Sequence, residues 1–185
     1  MNIPFANPNA QFNSYRDEIE QSILNVIRGN KYILGEQLLL LEDEFASFIG
    51  TKYSIGVANG TDAIEIALRA LNIGAGDEVI TVSHTAVATV AAIEAANATP
   101  VLIDINEKDY ILDPNLISNS ITSKTKALIL VHLYGQSGNI ELIKKICDRN
   151  NIYLIEDASQ AHGAFFGGKR LGNHGIIGTF SCYPT

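Results

Sequence analysis

The chain has 185 residues, 46% of them hydrophobic and 18% charged, which fits one domain able to bury roughly 70% of its unfolded surface. Its formal net charge of −7 argues against a broad nucleic-acid surface and against binding to anionic membrane, while leaving room for a local anion pocket. The opening MNIPFANPNAQFNSY lacks the basic start and apolar centre of a signal peptide, no apolar run approaches the roughly 20 residues that span a bilayer, and Cys147 and Cys182 have no metal or disulfide spacing, so a reducing cytoplasm is the expected setting.

Ser14 and Asp17 resemble a capping box, and Tyr15, Ile19, Ile23 and Ile27 recur every four residues, predicting a helix that stops near Gly29-Asn30. A second helix is expected over 35–49, with Leu38, Leu41, Phe45 and Phe48 on one face and Gly50 at its end. Strands and helices then alternate. Strands are expected at 52–58, 77–82, 100–105, 126–133 and 152–156, with helices at 61–71, 84–97, 113–121 and 139–151 between them. FFGGKRLGNHG reads as a turn or hairpin, and GIIGTFSCY as one more strand. The strands are continuous apolar runs, the pattern of burial on both faces, so the alternation predicts an α/β fold with a mostly parallel sheet.

Ligands of open α/β sheets gather beyond the carboxyl ends of the strands. Three polar clusters fall there: Asn59-Gly60-Thr61-Asp62, Ser83-His84-Thr85, and the stretch from Glu156 to His162. In the first, a glycine leaves room for close backbone approach, and Thr61 can cap a helix whose free amides suit a phosphate; a plain helix cap without a ligand fits the same letters. No Walker-A lysine follows, and Gly74-Ala75-Gly76 precedes a strand instead of following one, which counts against a nucleotide cofactor. A lone carboxylate at the end of strand 152–156 could ligate a metal, act as a base, or hold a protonated ring nitrogen. His162 and His174 lack a partner at helical spacing, so no metal site is expected. His132 reads as a hydrogen-bonded histidine near a strand end, and Cys147 as a core thiol.

NGTDAIEIAL, VSHTAVATVAAIEAANATPVLIDI, VHLYGQSGN, IEDASQAHGAFFGGKRLG and FSCYPT occur in this order, and together they resemble the DegT/DnrJ/EryC1/StrS family of sugar aminotransferases. The resemblance covers almost the whole chain. It implies a pyridoxal 5′-phosphate (PLP) enzyme of fold type I, with 1–185 as an incomplete large, cofactor-binding domain and a smaller carboxy-terminal domain beyond it. It implies that Asp157 pairs with the pyridine nitrogen, that Gln160 contacts the 3′ oxygen, and that Gly60, Thr61 and Asp62, with Ser181, cradle the phosphate; Asp62 would contribute its amide. Many relatives carry an aromatic residue over the ring where this chain has Ala86. His84 is the candidate to replace that stacking, with a role in starting the helix as the alternative. Tyr183 either borders the substrate or packs. Glu156 is expected to face away and be structural.

The implied reaction is transamination of a nucleotide-linked keto sugar with glutamate as donor, in a homodimer with shared active sites. No catalytic residue is expected within the chain, because the cofactor-binding lysine of relatives directly follows the motif that ends at Thr185. A histidine there would indicate a PLP-dependent sugar dehydratase, and any other residue a non-catalytic, regulatory homologue.

Overall fold

The computed structural model describes residue 4 and residues 6–183. The first three residues, Phe5, Pro184 and Thr185 lie outside the described residues, and with them part of the expected leaderless start and the end of the FSCYPT motif. Among the described residues, no helix is long and apolar enough to cross a membrane.

The chain forms two compact units. The first holds α1 (Pro8–Ser14), α2 (Arg16–Arg28), most of α3 (Glu36–Ile49) and Lys52–Gly56. The second, Phe48–Thr51 with Val57–Cys182, carries the sheet. In chain order it contains α4 (Gly60–Ala70), β1 (Glu78–Val82), α5 (Val87–Ala95), β2 (Thr99–Ile103), α6 (Pro114–Ser120), β3 (Thr125–Val131), α7 (Ile140–Asn150), β4 (Tyr153–Asp157), a hairpin of β5 (Phe165–Phe166) and β6 (Lys169–Arg170), and β7 (Ile177–Thr179).

The five-stranded sheet runs β2-β1-β3-β4-β7, every neighbour parallel. Parallel strands need crossovers, and the helices supply them. The central strands β1, β3 and β4 bury nearly every residue, as continuous apolar runs between two helical layers should. Ile80, Leu128, Ile129, Leu130 and Ile155 form the centre of the core, joined by Ile64 and Leu68 of α4, Ile93 of α5 and Ile143 of α7. β4 lies between β3 and β7, so its carboxyl end opens between two neighbours rather than at an edge.

Four expectations are corrected. Ser14 caps nothing: it is the last residue of α1, its hydroxyl donates to Ala10 O at 3.1 Å, and Tyr15 occupies the cap position of α2 without a side-chain bond. Pro8 at a helix start, capped by Asn7, explains why a separate helix precedes α2. Residues 52–58 are not a strand. Tyr53 and Ile55 stand exposed there, and no ladder partner for the segment exists among the described residues. The helix expected from 84 begins only at Val87, because Ala86 is extended (φ −63°, ψ 143°). The last strand is confined to Ile177–Thr179. On the α3 face that carries them, Leu38 and Phe45 are partly buried, and Leu41 and Phe48 are exposed.

Candidate active site

Side chains alternate along a strand, so Glu156 and Asp157 at the end of β4 leave on opposite faces of the sheet. Each meets a different set of donors.

Glu156 is fully buried. Its Oε2 accepts from His132 Nε2 at 2.9 Å and from the Gly172 amide at 2.8 Å; its Oε1 accepts from the amides of His174 at 2.6 Å and Gly175 at 2.7 Å. Burial pushes the carboxyl up, but the His132 bond and the Gly175 and Gly172 amides more than offset this and hold it below its ordinary range. The imidazole's Nδ1 lies 3.2 Å from Gln136 O. Glu156 therefore anchors the glycine-rich turn before β7 to the floor of the sheet. The structural role expected for it, and the hydrogen-bonded role expected for His132, are both realised.

Asp157, 6% exposed, faces the other layer. Its Oδ1 accepts from the Ser159 amide at 3.2 Å and the Ser159 hydroxyl at 2.7 Å, and its Oδ2 accepts from Thr89 Oγ1 at 3.0 Å. Thr89 Oγ1 lies 2.9 Å from Thr85 Oγ1. A carboxylate held by three donors is fixed in orientation and suited to face a cationic group.

Asn59, not Thr61, caps α4: its Oδ1 accepts from the Asp62 amide at 2.9 Å, and Ala63 N donates to Asn59 O at 3.0 Å. This corrects two expectations, since the Asp62 amide is already engaged by the cap. The amides of Gly60 and Thr61 precede the first intrahelical bond and head the helix. A Cβ on Gly60 would stand 2.8 Å from Ser181 Cβ, with Ser181 Oγ at 3.3 Å and Ser159 Oγ at 3.4 Å. Only glycine permits that approach. The α4 terminus, Ser181, Ser159 and, through Ser159, Asp157 thus converge, although the sequence separates the first from the last by about a hundred residues.

Gln160 Oε1 accepts from the Tyr134 amide at 2.9 Å, which leaves its Nε2 as the donor toward a ligand. Tyr134 holds that amide in place from a left-handed conformation (φ 56°) in the 133–135 turn after β3. His84 and Ala86 are exposed in the β1–α5 turn. Tyr183 is 76% exposed and belongs to the first unit. His162 and His174 pack against aromatic rings, Phe180 at 5.4 Å and Phe166 at 5.9 Å, and among the described residues no cluster of His, Cys, Asp and Glu could hold a metal ion.

Thr89 and Ser159 were not among the expected site residues. Thr89 carries a signal in retrospect: it is the polar residue, four after Thr85, in the otherwise apolar run VATVAAI that opens α5.

The family model described as the DegT/DnrJ/EryC1/StrS aminotransferase family matches residues 13–185. A dTDP-3-amino-3,6-dideoxy-alpha-D-galactopyranose transaminase of Aneurinibacillus thermoaerophilus is 47% identical over 179 residues, covering 97% of this chain and 49% of the relative. The crystal structure of S. venezuelae DesV superposes with a TM-score of 0.96 at 41% identity, covering 98% of this chain and 49% of that one. NtdA from Bacillus subtilis, solved with bound cofactor PMP, gives 0.86 at 31% identity over 96% of this chain and 43% of its own. The chain spans about half the length of the curated relatives it matches. It belongs to the DegT/DnrJ/EryC1/StrS aminotransferase family.

Proposed function

We propose that this chain builds the cofactor site of a PLP-dependent aminotransferase that aminates a nucleotide-linked keto sugar, with glutamate as the donor. The observation that carries the reading is Asp157: a buried carboxylate at the carboxyl end of a central parallel strand, oriented by three donors and standing beside a glycine-lined helix terminus. These residues suit PLP. The carboxylate fits the ring nitrogen, and Ser181 with the Gly60 and Thr61 amides fits the phosphate. The Nε2 of Gln160 fits the 3′ oxygen.

Bound there, PLP supplies an electron sink and a carbonyl carbon through which the amino group is exchanged. The chain's own residues prepare that chemistry. Asp157 keeps a proton on the ring nitrogen: at about 4 Å and an effective dielectric near 20, the attraction is about 4 kcal/mol before desolvation. The helix terminus and Ser181 would hold the phosphate end. Gln160, locked by the Tyr134 amide, orients the ring's edge. On the resemblance, His84 and Ala86 would line one face of the ring.

The amine that moves the substrate's proton is assigned, on the resemblance of FSCYPT, to a lysine following Thr185, and the smaller domain to the sequence beyond. The relatives' names support a dTDP- or UDP-linked sugar. A cytoplasmic homodimer with shared sites completes the reading, supported by two free thiols and by exposed Leu39, Leu40 and Leu41 on α3.

The test is Asp157→Asn in the full-length protein. The fold should survive, since the amide keeps the size of the carboxyl, while transamination should fall by orders of magnitude. Near-native turnover would overturn the assignment.

A further inference from the structure

Thr89 is fully buried on the inner face of α5, beside Ala92 and Ile93. A hydroxyl in such surroundings destabilises the fold unless it is paired. Here it is paired twice, to Asp157 Oδ2 at 3.0 Å and to Thr85 Oγ1 at 2.9 Å. An ionised carboxylate has no proton to give, so Thr89 is the donor to Asp157. Its one proton is then committed, and Thr85 must donate to it. The two hydroxyls donate in one direction, from the β1–α5 turn onto the carboxylate.

The acceptor positions of Asp157 can be counted. A carboxylate offers about four, two on each oxygen. Ser159 fills two on Oδ1 through its amide and hydroxyl, and Thr89 fills one on Oδ2. The position that remains is on Oδ2. A ring N–H meeting Asp157 would share that oxygen with Thr89.

We propose that Thr85 and Thr89 form a positioning relay that presents Oδ2 of Asp157 to the ring nitrogen of the cofactor and ties that oxygen to the turn carrying His84 and Ala86. The proposal rests on the PLP-site reading above. Neither threonine is a catalytic residue; both act through Asp157. Carboxylate rotation about its last torsion is broad and roughly two-fold, so Ser159 alone does not hold Oδ2 in one orientation. The relay couples the β1–α5 turn to the carboxylate, because movement of the turn would be felt at Oδ2.

The experiment uses the full-length protein reconstituted with PLP labelled with nitrogen-15 in the ring. PLP affinity and the ring N–H proton resonance are measured, with circular dichroism and thermal midpoint checking the fold. Thr89→Val keeps the shape and removes the hydroxyl. It should weaken PLP by about tenfold, equivalent to about 1.4 kcal/mol, and shift the ring N–H resonance or broaden it away. Thr89→Ser should restore both to near the unmutated values. Thr85→Val, which removes a group that does not touch Asp157, should move the resonance in the same direction by less.

Affinity and resonance unchanged in Thr89→Val would overturn the relay alone. So would a folded Thr89→Ser that behaves like Thr89→Val, because packing rather than the hydroxyl would then be responsible. If Thr89→Val does not fold, Thr85→Val decides: a shifted resonance supports the relay and an unshifted one overturns it. An unmutated protein that binds no PLP would overturn the site and the relay together.

Discussion

Gly60 is a residue whose role is set by what lies across from it. A methyl group there would press on Ser181 Cβ at 2.8 Å, driving apart the helix terminus and the hydroxyl proposed above to hold the phosphate. Gly60→Ala should therefore weaken PLP by about tenfold, the scale of one lost charge-assisted hydrogen bond, and leave the affinity for pyridoxal, which lacks the phosphate, nearly unchanged. Titrations with the two ligands separate the effects; equal losses for both would place the damage elsewhere. Cys147 makes the opposite case, a reactive atom silenced by its surroundings. Burial raises its thiol to about 12, Asp148 adds to the rise, and Lys144 opposes it. The thiolate is the nucleophile, so iodoacetamide at neutral pH should leave Cys147 unmodified in the folded protein and alkylate it after denaturation. Peptide mass spectrometry reads this directly, with the exposed Cys182 as the internal comparison.

At the scale of elements, Glu156 holds the glycine-rich turn between β6 and β7 by its backbone amides. Gly172 takes φ +91°, and a side chain there would collide with Phe180, so the turn's backbone is free to aim its amides at the carboxylate. Glu156→Gln keeps the size and removes the charge that three amides and His132 surround. Leaving buried donors without the charged acceptor they share costs about 1–3 kcal/mol. The pH dependence has a definite sign. The folded protein binds the Glu156 proton more weakly than the unfolded chain does, so the contribution is complete above the ordinary value of 4.5 and is lost as pH falls through the lower folded value. Denaturation followed by circular dichroism should show the variant less stable at pH 7, with the gap to the unmutated protein closing in acid. A gap that is constant with pH would mean that the charge is not what matters. The helix that heads the site depends on a smaller term: Asn59→Ala removes the cap of α4 and should cost about 1 kcal/mol.

For the whole molecule, the question is how the apolar surface of α3 is covered. Leu39, Leu40 and Leu41 are consecutive, so one helix cannot turn all three toward its own core, and all three are exposed. Isolated exposed leucines are ordinary; three together on one helix are what supports the dimer proposed above. Full-length protein should scatter light as a dimer at micromolar concentration, and Leu40→Glu should shift it toward monomer without unfolding it. A full-length monomer would remove the support for shared active sites.

Strand and helix alternation, the parallel sheet and the structural role of Glu156 were legible in the sequence, because burial on two faces leaves a continuous apolar run and a strand's period sends neighbours to opposite sides. Segment 52–58 shows the limit of the same signal: its apolar letters suit a strand, but a strand exists only where its backbone joins a ladder, and the Gly56 amide donates to the Glu42 carboxylate instead. Cap chemistry was misread for a related reason. Asn59 and Thr61 are both good caps, and Ser14 and Asp17 match a capping box, so the choice falls to where the backbone actually turns helical. The donors on each carboxylate were decided by tertiary structure alone. Thr89 reaches Asp157 across 68 positions, the Gly172 to Gly175 amides reach Glu156 from 16 to 19 positions away, and Gly60 meets Ser181 from the far end of the chain. Sequence periodicity reports which face of an element is buried, through a local repeat of 2.0 or 3.6 residues. Which atoms meet across that face depends on strand order and register, and those are fixed only when the sheet closes its ladder and the helices pack against it.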